Sequence, residues 1–223
     1  MAYSKKVAID ARRTSAKAGF CLIFALAMAA CSSLPQPPAR AEVYDFGPGQ
    51  QAAPATAAPA AARAIILADV VGTGMPDADS GLNYRLAYAN AQQVRPYRDA
   101  RWSQPPAQLL TQALRERLGQ GRAVLTEGDV GVRLADGARP DVLRLQLEEF
   151  SQVFDAPQAS HALVRLRASL ARSTAHGSEQ LLAQRLFVVQ RPAATPDAAG
   201  GARALAEAAG QLADEVAQWL EQP

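Results

Sequence analysis

One side chain in this 223-residue sequence sits among neighbours that prepare it for chemistry. Cys31 follows Met28, Ala29 and Ala30 and precedes Ser32. An apolar residue, two small residues and then a cysteine form a lipobox. The small side chains let the chain enter a narrow peptidase cleft, and the thiol becomes the attachment point for diacylglycerol. Leucine is the usual residue three before the cysteine, and Met28 stands there instead. On this reading Met28, Ala29 and Ala30 are the lipobox. Cys31 is then the first mature residue, S-diacylglyceryl-modified and N-acylated, and the acyl chains hold it to a membrane.

The cysteine count agrees. There are two cysteines, and Cys21 falls within the segment that cleavage would discard. Cys31 then has no intramolecular partner. A free thiol in an oxidising compartment is reactive, and acylation removes it.

No other residue group assembles a recognisable reaction centre. His161 and His176 fall on different elements, one at a strand start and one in a turn, with no cysteine or carboxylate at ligand spacing. A zinc site needs three or four such ligands. Glu148 and Glu149 are adjacent, so on a regular strand they point to opposite faces and cannot act as a carboxylate pair. Gly72-Thr73-Gly74 lacks the rest of a nucleotide fingerprint, and no Gly-x-Ser-x-Gly elbow, Walker loop or HExxH helix occurs. The reading is a protein that is not an enzyme, with no metal and no cofactor.

The segment ahead of Cys31 has the three parts of a secretory signal. Its n-region carries Lys5, Lys6, Arg12, Arg13 and Lys17 against one acid, Asp10. The apolar run from Gly19 to Met28 is too short for a bilayer core, which needs about 20 apolar residues, so an uncleaved anchor is disfavoured. Arg12-Arg13 is followed by Thr14-Ser15-Ala16, which does not supply the apolar pair of a twin-arginine signal. Removing residues 1–30 leaves 18 basic against 20 acidic residues, a net charge of −2 where the whole chain has +2. This excludes a case for nucleic acid or for an electrostatic grip on membranes. All three lysines lie in the leader, and every basic residue of the mature chain is arginine, as in proteins from GC-rich genomes.

Residues 31–62 read as a Pro- and Ala-rich tether. Proline lacks an amide donor and pushes the preceding residue to extended conformations, so Ser32 to Arg40 is a semi-rigid spacer of roughly 3 Å per residue. Glu42 to Phe46 alternates and could add a short edge strand. From residue 63 the patterns are those of a folded domain. Ala64 to Val71 is β-branched and apolar, a buried strand. Leu82, Tyr84, Leu86 and Tyr88 share one face of the next, and a third short strand lies around Val94 to Tyr97. Pro105-Pro106 suits a helix start, with Leu109, Leu110, Ala113, Leu114 and Leu118 as its apolar stripe and Gly119 and Gly121 beyond it. Arg122 to Thr126 is a short strand.

Three longer strands follow. Leu143, Leu145 and Leu147 face one way, and the parity shift to Phe150 points to a bulge. Ala162, Val164, Leu166, Ala168 and Leu170 face one way with Arg165, Arg167 and Ser169 opposite, an arginine-bearing face that is a solvated surface or a meeting place for anionic headgroups. Leu186 to Val189 is apolar on both faces. Ala198 to Gln222 is the best helix, with Ala202, Leu205, Ala209, Leu212, Val216, Trp219 and Leu220 in one stripe, expected to cover the sheet.

The strand Leu82-Asn83-Tyr84-Arg85-Leu86-Ala87-Tyr88, followed by Tyr97-Arg98-Asp99-Ala100-Arg101-Trp102-Ser103-Gln104-Pro105 before a leucine-rich helix, resembles the ABC-type transport auxiliary lipoprotein family. The best-known branch of that family is the paraquat-inducible, PqiC-like lipoprotein. Tyr97, Arg101, Trp102 and Pro105 are the most specific match, with Tyr84 and Arg85 beside them. Val43 to Phe46 is a partial version of the family's opening motif. By bottom-up reading alone, Trp102 is an aromatic staple against the helix that follows.

The resemblance implies that residues 63–223 form one auxiliary-lipoprotein domain. It also implies docking to an MCE-domain substrate-binding protein and, through it, to an inner-membrane ABC permease complex that moves lipid or another hydrophobic substrate. Ser32 after the cysteine implies sorting to the outer membrane, lipid-anchored and facing the periplasm. Alternatives are a lipoprotein that itself binds a lipid or hydrophobic ligand, and a structural envelope lipoprotein. Self-association into a homo-oligomer stays open. The fold expected is α+β: a single domain with a mainly antiparallel sheet of about five to seven strands, one central helix and one long C-terminal helix packed on it.

Overall fold

A computed structural model describes residues 40–49, 63–74, 79–129, 131–174 and 178–222. Those from Ala41 onward belong to one unit. The lipobox and Cys31 lie outside the described residues, as does His176.

Nine strands occur among the described residues: β1 Glu42–Tyr44, β2 Ile65–Leu67, β3 Val71–Gly72, β4 Gly81–Leu86, β5 Ala91–Trp102, β6 Val124–Leu125, β7 Asp141–Ala156, β8 Ala159–Ser173 and β9 Glu179–Pro192. The helices are a single turn α1 (Ala87–Asn90), α2 (Pro106–Gly119) and α3 (Ala198–Trp219). The expected mixed architecture and its two main helices are present, but the strand count is nine rather than five to seven. The count rises because the Ala64–Val71 segment splits into β2 and β3, and because the short pieces expected at Glu42–Phe46 and Arg122–Thr126 both join the sheet, as β1 and β6. The sheet is also mixed. The long pairings β7–β8, β8–β9 and β4–β5 are antiparallel, whereas β1–β5, β2–β6, β2–β7, β3–β7 and β4–β7 are parallel over two or three residues each.

The sixteen-residue β7 is the axis of the sheet. One edge pairs with β8 along nearly its whole length. The other is shared in succession by β2, β3 and β4. The Ala64–Val71 segment is thus a strand interrupted at 68–70, where the Val70 amide turns to the Thr111 hydroxyl of α2, 2.9 Å away.

Two stretches depart from the expected elements. The alternation of Leu82 to Tyr88 does not continue as strand. The chain reverses at Ala87–Asn90, Leu86 bridges to Asn90, and Tyr88 is about half exposed. The strand expected near Val94–Tyr97 is twelve residues long and carries the chain to Trp102.

The core lies between one sheet face and the pair α2–α3. Leu143, Leu145, Leu147 and Phe150 of β7, Ala162, Val164, Leu166 and Ala168 of β8, and Phe187 and Val189 of β9 are buried there. They meet Leu205, Ala209, Leu212 and Val216 of α3 and Leu110, Leu114 and Leu118 of α2. Burial at a period of two on the strands and 3.6 on the helices is what the sequence pattern requires. Leu186 and Val188 lie on the far face and stay exposed. Among the described residues no helix is long and apolar enough to cross a membrane.

Candidate functional site

The motif residues gather where β4 and β5 meet β7 and the start of α2. Tyr84 of β4 and Tyr97 of β5 stack with ring centroids 4.7 Å apart, and Phe154 of β7 meets Tyr84 edge-on at 6.0 Å. The Tyr97 hydroxyl donates to Gln152 Oε1 at 2.8 Å, and Gln152 Nε2 donates to Ser160 Oγ at 2.8 Å. Gln152 is fully buried, so the Tyr97 hydroxyl and Ser160 are the partners that make its burial tolerable. Burial pushes the Tyr97 phenol well above the ordinary tyrosine value, with the neighbouring Tyr84 phenol and Asp197 carboxylate adding to the effect.

Above this network the N-terminus of α3 packs too closely for side chains at two glycines. A Cβ at Gly201 would sit 2.1 Å from Gln152 Oε1, and one at Gly200 would sit 2.2 Å from the Thr195 carbonyl oxygen. Asp197 caps the helix, its carboxylate accepting the Gly200 amide at 2.7 Å and the Thr195 hydroxyl at 2.7 Å. These bonds hold its pKa below the usual carboxylate value. Gln152, Asp197 and Gly201 were not singled out from sequence. The available signals were a glutamine at an apolar-parity position between Phe150 and Phe154, and an aspartate just ahead of an alanine-rich helix.

Arg85 faces away from the core. Its guanidinium binds Glu149 through Nε (3.1 Å) and Nη2 (2.8 Å), and Nη1 donates to the Ala91 and Gln92 carbonyls at 3.1 and 3.3 Å. It thereby ties β7 to the reversal at α1. Glu148 and Glu149 do not point to opposite faces as a regular strand would place them. The β7–β8 register skips Glu148, and this bulge turns both carboxylates to the face opposite the core. There Glu148 accepts from Arg167 Nε at 2.8 Å and Arg165 Nη2 at 3.1 Å. Both carboxylates are occupied by arginines, and the arginine face read from β8 is an ion-pair surface.

Trp102 is almost fully buried, 1% exposed. Its ring meets Phe46 edge-on at 5.5 Å and Phe150 at 5.5 Å. It therefore joins the segment after β1 to the core, beyond the staple role expected against α2. Its Nε1 has no hydrogen-bond partner among the described residues. Pro105 precedes α2, and its carbonyl accepts from Gln108 and Leu109 at 2.9 and 3.2 Å. Arg101, exposed beside β1, makes no side-chain ion pair among the described residues. The motif is thus split: Tyr84, Tyr97 and Trp102 hold the fold, Arg85 braces a chain reversal, and Arg101 faces solvent.

One half-open groove of about 450 Å³ lies beside Trp102's partners, between α2, α3 and the Asp45–Gly49 segment. Leu109, Ala113, Ala206, Gly210 and Ala213 line it, with Asp45, Glu116, Arg117 and Asp214 among its polar groups. Arg117 and Asp214 form an ion pair across the two helices. The volume falls in the range of small-molecule sites. Among the described residues no cluster of His, Cys, Asp and Glu is arranged to hold a metal ion, and His161 Nδ1 pairs with Asp155 at 2.8 Å.

The fold recurs in solved structures. A Xanthomonas campestris protein is similar at 23% identity and a TM-score of 0.63, over 80% of this chain and 94% of its own. An uncharacterised protein is similar at 17% identity and a TM-score of 0.58, over 82% of this chain and 99% of its own. At these identities the likeness concerns the fold alone. No curated protein matches the chain. The model of the ABC-type transport auxiliary lipoprotein component matches residues 44–217, from the end of β1 to the last turn of α3. With most of its length inside that match, the chain belongs to the ABC-type transport auxiliary lipoprotein family.

Proposed function

We propose that this protein is an outer-membrane-anchored periplasmic lipoprotein that assists an ABC-type transport system for lipid or another hydrophobic substrate, without catalysing a reaction itself. The family match over residues 44–217 carries the reading. The lipobox at Met28, Ala29 and Ala30 supplies the anchor at Cys31, and the 31–62 tether gives the folded domain reach from the membrane surface. In this arrangement the domain docks to an MCE-domain partner that belongs to the inner-membrane permease complex. Crosslinking in intact cells tests it: the full-length protein should capture an MCE-domain protein, and repeated failure to capture any inner-membrane transport component would reject the partnership. Cys31→Ser tests the anchor separately. The variant should leave the outer-membrane fraction, and unchanged fractionation would place the anchor elsewhere.

A second reading, in which the domain itself holds a hydrophobic ligand, is favoured by the groove between α2 and α3. Native mass spectrometry of the purified protein separates the two. A bound lipid lost on replacing Ala206 or Ala213 with Leu supports ligand carriage, and an empty domain leaves docking as the function.

A further inference from the structure

A second recess, about 310 Å³, lies away from the motif residues and the α2–α3 groove. Arg63, Arg133, Arg139 and Arg172 line it, together with Gly137, Ala138, Ser173 and Thr174. The four arginines come from three places in the chain. Arg63 precedes β2, Arg133 and Arg139 stand on the loop before β7, and Arg172 ends β8. Their convergence is a product of the fold, since β2 and β8 flank the same end of β7.

The charges in this recess do not cancel. Arg172 is held bidentately by Asp141, with both bonds at 2.8 Å, and Arg63 reaches Asp136 at 3.2 Å. Among the described residues Arg133 donates only to the Gly137 carbonyl, at 3.1 Å. Arg139 has no carboxylate partner among the described residues. Two guanidiniums are therefore left over in a chain whose mature charge is negative. The loop that carries them has its own bonds. Gly137 adopts φ +77°, a conformation suited to glycine. Leu134 and Ala138 are linked N to O at 2.9 Å, and the Ala138 amide donates to Asp136 Oδ1 at 2.9 Å. Arg133 and Arg139 thus flank a braced turn. The two paired arginines are pinned by carboxylates, which leaves other N–H groups of their forks to serve a guest.

We infer that this recess binds a phosphate-type anion. Planar guanidinium forks match the oxygen geometry of phosphate and bind it bidentately. Uncompensated positive charge in a concavity focuses the field on such a guest. The volume lies at the lower end for ligand sites, which suits a phosphate group or a phospholipid headgroup. The site does not depend on the transport reading, and it would stand if no transport partner were found.

The test uses the full-length protein in a neutral detergent. Calorimetric titrations are made with inorganic phosphate and with micelles doped with phosphatidylglycerol or phosphatidylcholine. Saturable binding of phosphate or phosphatidylglycerol is expected, at least tenfold weaker in R133A/R139A and largely kept in R133K/R139K. It should also weaken as salt rises. Neither substituted side chain holds a carboxylate, so both ion pairs of the recess survive the change, and thermal unfolding checks this. If the double variant unfolds, R139Q alone makes the same comparison. Binding of phosphate alone assigns the site to a free anion. Tighter binding of phosphatidylglycerol than of phosphatidylcholine assigns it to a lipid headgroup. Binding by neither probe, or equal binding by wild type and R133A/R139A, overturns the proposal.

Discussion

Arg85 and Glu149 lie on neighbouring parallel strands, and the Arg85 fork grips the Glu149 carboxylate through two N–H donors at 3.1 and 2.8 Å. The pair exists because β7 bulges at Glu148, which turns Glu149 to the outer face beside Arg85. Both side chains are about four-fifths covered, so the bonds are shielded from water. Arg85→Ala should destabilise the domain by about 1.5–3 kcal/mol, the range for hydrogen bonds to charged groups. Adding Glu149→Gln should recover part of the loss, since it removes the stranded charge. Urea denaturation of Arg85→Ala, Glu149→Gln and the double variant measures both effects, and simple additivity would show that the pair is not coupled.

Two glycines of α3 give opposite expectations. Gly201 packs against Gln152 with no room for a methyl group, whereas nothing lies within 4 Å of a Cβ at Gly210. Gly201→Ala should cost about 1–3 kcal/mol as an overpacked site. Gly210→Ala should be neutral or stabilise by up to about 1 kcal/mol through helix propensity. Thermal unfolding of the two single variants is enough to check the contrast.

The two helices and the three long strands were legible because each repeats its burial period several times. Leu109 to Leu118 and Ala202 to Val216 announce helices, and Leu143 to Leu147 and Ala162 to Ala168 announce strands. What could not be read has physical reasons. The short strands β1 and β6 leave a local trace, but their parallel pairing, and the break that separates β3 from β2, arise from contact with distant chain, which two or three residues do not encode. The turn at Ala87–Asn90 continues an apolar alternation that in isolation says strand. Glu148 and Glu149 were placed by the regular strand rule, although the parity shift beside them already signalled a bulge. The aromatic and tyrosine motif positions could be named in advance, but their division into core, brace and exposed residues could not. The arginine recess leaves no local trace, since its members are spread from Arg63 to Arg172.

Tyr97 should reveal itself at high pH. Burial raises its phenol pKa, so the neutral hydroxyl is the form the folded state prefers. The stability it supplies is complete below the ordinary tyrosine value of about 10 and is lost as pH rises through the higher folded value. Tyr97→Phe removes the bond to Gln152 Oε1 and strands a buried amide oxygen, a cost of about 1–3 kcal/mol at neutral pH. It should also flatten the alkaline loss of stability. Ultraviolet absorbance titration of wild type and variant checks whether the change removes one late-titrating phenol, as expected. Tyr44 is a second late phenol, raised to about 12 by its hydrogen bond to Glu42, and it stays as an internal reference.

Asp197 controls the acid side through the cap of α3. Its carboxylate accepts the Gly200 amide and the Thr195 hydroxyl, and both bonds lower its pKa. A lowered carboxylate contributes stability that is present above its unfolded pKa of about 3.9 and is lost as pH falls through the folded value. Two substitutions separate the cap from the charge. Asp197→Ala removes the acceptor and should cost about 1 kcal/mol at pH 7. Asp197→Asn keeps an acceptor of similar capping strength, so stability at pH 7 should change by only a few tenths of a kcal/mol. In the Asn variant this acid-dependent contribution disappears, and the stability curve below about pH 4 should be flatter than that of the wild type. Denaturant titrations across the acid range distinguish the three proteins. An Asn variant with the wild-type acid slope would show that the carboxylate charge at this cap does not set it.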